Sequence, residues 1–126
     1  MVKIGFKTSQ TNVDWPTLLA TWELADVRIV AELADGWNQT GDPATFVEKR
    51  DALLRHCEVV GRDPGEIEIS AQAFLRDGYA ASLEVAATYA RQGAHHVMLV
   101  IPADHGPEGL QRLAHEVAEP LRERFG

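Results

Sequence analysis

Strand-like runs and helical stripes alternate along this chain from one end to the other, and that order restricts the folds it can adopt. Val2, Ile4 and Phe6 alternate with Lys3, Gly5 and Lys7, the period of two expected of a strand with one face on a core. Asp14 is placed to cap, and Pro16 to open, a helix with the apolar stripe Leu18, Trp22, Ala25, Ile29 and Leu33, ending near Asp35 and Gly36. A short strand at Gly36, Trp37 and Asn38 follows. Asp42 and Pro43 then repeat the capping chemistry ahead of a second helical face, Phe46, Leu53, Cys57 and Val60, closed by Gly61.

Pro64 and Gly65 mark a turn into a half-buried strand in which Ile67, Ile69 and Ala71 alternate with Glu66, Glu68, Ser70 and Gln72. Leu83, Ala86, Ala87 and Ala90 define a third helix with Gly93 beyond its end. After two histidines, His95 to Ile101 reads as a nearly continuous apolar run, the pattern of a strand covered on both faces. Pro107 opens a last helix with the stripe Leu110, Leu113, Ala114, Val117, Leu121 and Phe125, which Pro120 is expected to bend.

Strict alternation implies a parallel sheet, because each helix returns the chain to the edge where the next strand begins. The predicted class is therefore α/β, a parallel (βα)4 arrangement in one domain over residues 1–126. Ligand chemistry in such sheets lies beyond the carboxyl ends of the strands, here Lys7 to Asn12, Trp37 to Thr40, Ser70 to Leu75 and Ile101 to His105.

Composition removes several function classes. A formal net charge of −7, with Lys and Arg scattered among the acids, offers no basic field for nucleic acid. The lone Cys57 cannot form an internal disulfide, and no stretch has the roughly 18 apolar residues of a membrane span. With no secretory leader in MVKIGFKTSQ, a cytoplasmic location is expected. His95 and His96 are neighbours on a strand and face opposite ways, so no metal site is expected there.

The wording of these segments is that of a known family. KIGFKTSQTNVDWPTLLATWELAD resembles the first strand and helix of luciferase-like monooxygenases, particularly those that use a deazaflavin coenzyme. VRIVAELADGWNQTGDPATFVEKRDALLRHCEVVGRDPGEIEIS is similar to that family's late segment, and YARQGAHHVMLVIP to its last strand. The resemblance implies that the two ends of a longer barrel meet near Asp26 and Val27 with the middle missing, and the helical stripe is read as continuing in phase across that point. The family's Gly-rich segment, which helps hold the cofactor's phosphate, has no counterpart here.

The resemblance implies half of a TIM-like barrel, which two copies would complete to (βα)8 as a homodimer. It implies a flavin- or deazaflavin-linked oxidoreductase acting on a small molecule, with FMN or a deazaflavin coenzyme as cofactor. The residues expected at the cofactor are Lys7, Ser9, Gln10, Trp37, Asn38, Gln72 and His105. Trp37 offers an indole for stacking, and His105, beside Asp104 in the loop after the last strand, offers a base or phosphate-binding group. Two alternatives stay open: a non-catalytic binding remnant of the family, and a structural partner that docks on a longer homologue through its open strands.

Overall fold

The computed structural model describes residues 2, 14, 16, 17, 24–40 and 42–126. Three strands, β1 (Gly36–Gln39), β2 (Glu68–Phe74) and β3 (His96–Val100), form a parallel sheet in that order. The short β1 is thus a true strand. β2 and β3 run with Ser70 opposite His96 and Phe74 opposite Val100. At the start of that pairing the His95 N–H donates to the Ile69 carbonyl at 2.7 Å, and the Ile69 N–H donates to His95 Nδ1 at 3.3 Å. Of the strand expected over Val2 to Phe6, only Val2 belongs to the described residues.

The helices are α1 (Val30–Leu33), α2 (Pro43–Val60), α3 (Tyr79–Arg91), α4 (Gly106–Leu113) and α5 (Glu119–Phe125). Asp14 caps as expected: its carboxylate accepts the Thr17 N–H at 3.1 Å and the Thr17 hydroxyl at 2.9 Å. Those two bonds hold its carboxyl below the ordinary range, the backbone one foremost.

Two π turns depart from the uniform periodicity read in the sequence. One, Leu24–Ile29, leads into α1. After it Val30, Ala31 and Ala34 are buried while Leu33, expected on the buried stripe, is 61% exposed. The other, Ala114–Ala118, lies between α4 and α5, and the Glu119 N–H reaches back to the Ala114 carbonyl. This turn immediately precedes Pro120, which has no N–H to give, and the helical path continues into α5.

The described chain clusters into two compact units, residues 1–37 with 47–68 and residues 38–46 with 69–126. The first unit contributes Val30, Ala31, Ala34, Trp37, Leu53, Cys57 and Ile67 to the buried set. Burial pushes the Cys57 thiol up, as for an inert core cysteine. Gly61, at φ 73°, ends α2, and Val59 and Val60 in the last turn of that helix are exposed, so Val60 does not join the face of Leu53 and Cys57. Arg62, next in the chain, donates through one guanidinium nitrogen to the Val30 and Ala31 carbonyls at 3.2 and 3.3 Å. The Val30 carbonyl also accepts the Ala34 N–H at 3.1 Å, so Arg62 adds a second bond there and ties the end of α1 to the chain that follows α2.

The second unit buries Phe46, Ile69, Ala71, Ala73, Leu75, Ala86, Ala87, Tyr89, Leu113 and Val117, with the polar Gln39, Ser70 and Ser82 among them. Phe46 and Tyr89 meet edge to face, with centroids 5.2 Å apart and planes at 70°. β3 is not covered on both faces: His96 is exposed and Val97 to Val100 are half-buried, in keeping with a strand at the edge of the described sheet. Leu110 and Phe125, expected on a buried stripe, are also exposed.

Candidate functional site

In the second unit, where the carboxyl ends of β1 and β2 give way to loops, a cleft of about 400 Å³ opens. Thr40 follows β1, Gln72 and Phe74 close β2, Arg76 and Asp77 lie in the loop beyond it, and Ser82, Val85 and Tyr89 come from α3. Asp42 and Pro43 bring the start of α2 to the same place. This is the end of a parallel sheet where the loops are free to vary while the strands hold their ends fixed.

The two helix starts at this cleft differ. At α2 the Asp42 carboxylate accepts the Thr45 N–H at 2.8 Å, and that bond holds the Asp42 carboxyl below its ordinary range. At α3 the capping position is Gly78, with φ +98° and no side chain to offer an acceptor. A Cβ there would meet nothing within 4 Å, so the space in front of the helix is open, but the positive φ suits glycine. The first-turn N–H groups of α3 therefore have no intrahelical acceptor and, among the described residues, no side-chain cap.

One turn into α3, Ser82 is 2% exposed and its Oγ has no hydrogen-bond partner. The Arg76 guanidinium rests 5.1 Å from the centroid of the Phe74 ring and pairs with no carboxylate among the described residues. Tyr89 lies at the back of the cleft, 1% exposed. Burial raises its phenol pKa, the Asp42 charge adds to that, and Arg76 opposes it. The cleft thus presents an amide, three hydroxyls, a guanidinium and helix amides beside a short apolar wall, a set able to orient a polar ligand.

Of the residues expected at a cofactor, Gln72 lines this cleft. Asn38 is exposed on β1, and its amide oxygen accepts the Ser70 hydroxyl at 3.1 Å across to β2. Trp37 is 3% exposed, on the opposite face of β1 from Asn38 by strand alternation, so its ring presents no open surface. His105 is exposed, with its Nδ1 3.4 Å from the hydroxyl of Tyr79, the first residue of α3. Tyr79 also approaches the Gly109 carbonyl at 3.5 Å and lies under the Arg112 guanidinium at 4.1 Å. Lys7, Ser9 and Gln10 lie outside the described residues.

Sequence reasoning missed Arg76 and Ser82, because the segment it assigned to the site stopped at Leu75. The available signal was Gly78 standing where a helix start ordinarily carries Ser, Thr, Asp or Asn. Among the described residues no group of three His, Cys, Asp or Glu side chains is arranged to hold a metal ion, and no helix is long and apolar enough to cross a membrane. No protein-family model matches the chain, and no curated protein is similar to it at a significant level.

Proposed function

We propose that this protein is a cytoplasmic flavin- or deazaflavin-linked oxidoreductase of the luciferase-like type, in which two (βα)4 halves close one (βα)8 barrel as a homodimer. The observation that carries this reading is the cleft at the carboxyl ends of β1 and β2, with Gln72 in its wall. Its volume of about 400 Å³ suits part of a cofactor of that size. The half-buried apolar run Val97 to Val100 supports the dimer, since a second copy would cover it.

A bound flavin or deazaflavin supplies the hydride chemistry itself. The chain's part is binding and orientation: the Gln72 amide meets a polar ring edge, while Asn38 and His105 flank the strand ends. In this reading Lys7, Ser9 and Gln10 add their polar groups from the end of the first strand. Trp37 supports β1 from within the core. That burial also favours a second reading, a non-catalytic binder of a flavin-like ligand, because the stacking surface that the resemblance implies is not presented.

Fluorescence titration with FMN and with the deazaflavin coenzyme tests the binding step. Micromolar affinity for one of them, weakened by Gln72→Ala, is the expected result, and no binding to either overturns the proposal. Turnover in a coupled reduction assay then separates enzyme from binder. A monomeric mass by analytical ultracentrifugation at micromolar concentration overturns the barrel-closing dimer.

A further inference from the structure

We propose that the start of α3 is an oxyanion subsite which takes a phosphate monoester group through the N–H groups of Tyr79, Ala80 and Ala81, the Ser82 hydroxyl and the Arg76 guanidinium. The inference rests on the cleft being the ligand site proposed above, and it names the part of the ligand that cleft recognises. A helix start with unbonded amides attracts negative charge, but that alone describes many helices. The independent observation is Ser82, a cleft-lining residue whose hydroxyl is buried and unpartnered. Leaving such a group without an acceptor is costly, and a ligand oxygen removes the cost.

Local geometry brings these donors to one place. Helical Cα–Cβ bonds tilt toward the helix N-terminus, so Ser82, one turn in, is directed to the same end as the amides of Tyr79 to Ala81. Gly78 has no side chain to stand between a ligand and those amides, and nothing occupies the space where one would be. Arg76, two residues before Gly78, has no ion-pair partner among the described residues and lines the same cleft. Two carboxylates share the cleft, but Asp42 is engaged at Thr45 as the cap of α2, and Asp77 is exposed. Among the described residues the remaining donors have no side-chain acceptor, and a phosphate group offers several at once.

The phosphate could belong to a cofactor or to a separate phosphorylated substrate, and the test distinguishes them. ¹⁵N-resolved amide spectra of the whole protein are recorded while inorganic phosphate is added at low ionic strength. Shifts centred on Tyr79, Ala80, Ala81 and Ser82 are expected, reduced by Arg76→Ala and by Ser82→Ala while the remaining spectrum stays that of the folded protein. No shift at α3, or shifts of equal size in both variants, overturns the subsite. Riboflavin is then compared with FMN. If the cofactor brings the phosphate, FMN binds roughly tenfold tighter or more and Arg76→Ala erases the difference. Equal affinity for the two, with phosphate still perturbing α3, assigns the subsite to a substrate's phosphate. Failure of both flavins with α3 still responding to phosphate overturns the cofactor reading and leaves the subsite standing.

Discussion

α2 and α3 both begin at the carboxyl end of the sheet, yet their first turns are completed in opposite ways. Asp42 is a residue of the chain itself, already bonded to Thr45 and already charged. In front of α3 there is Gly78, open space, and, with no partner among the described residues, the Arg76 guanidinium and a buried hydroxyl. A helix start that the chain satisfies internally is a fixed part of the scaffold; one that it leaves open while gathering donors around it is available to a ligand. Phe46, in the first turn of α2, stands behind both, with its ring against Tyr89 of α3.

The largest effect comes from removing that shared support. Phe46→Ala, at a fully buried position, is expected to lose about 3–5 kcal/mol in denaturant unfolding. A loss below about 1 kcal/mol would show that the two helix starts do not depend on the aromatic contact. Ser82→Ala sharpens the contrast in the other direction. In phosphate-free buffer it is expected to stabilise the protein by about 1 kcal/mol, because an unsatisfied hydroxyl leaves the interior. Destabilisation would mean the hydroxyl is satisfied in solution.

The smallest effect is at the capped start and is read through pH. The Asp42 pKa is depressed in the folded state, so its contribution is present above the ordinary carboxyl value of 3.8 and is lost as pH falls through the lower folded value. Asp42→Asn keeps a cap without a titrating group, and is expected to flatten that part of the acid unfolding profile. An unchanged acid profile would separate the Asp42 charge from the stability of α2.

Much of the frame was legible in the sequence because local chemistry and burial pattern agreed. The caps at Asp14 and Asp42 and a strand at Gly36, Trp37 and Asn38 are seen, and Ile69 and Ala71 are buried as read, but Ser70 between them is buried too, so the alternation does not hold there. The exposure of Leu33 was not legible, because apolar residues lie on both sides of this short helix and the buried face is the one with Val30, Ala31 and Ala34. Tyr89 was overlooked in a helix read by its alanines, although its ring fills the largest fully buried position. At the site, Gln72 followed from its place near the end of a strand. Arg76 and Ser82 did not, since what marks them is a missing cap and a missing bond, and periodicity registers only what is present.

The π turn at Leu24–Ile29 also works as slack. Its hydrogen bonds span one residue more than those of an α turn, so the segment can shed a residue and remain helical. The wider turn absorbs the extra residue, so such a deletion leaves Val30, Ala31 and Ala34 on their buried face. The helix can therefore be shortened by a residue at this turn without disturbing the carbonyls that Arg62 holds downstream.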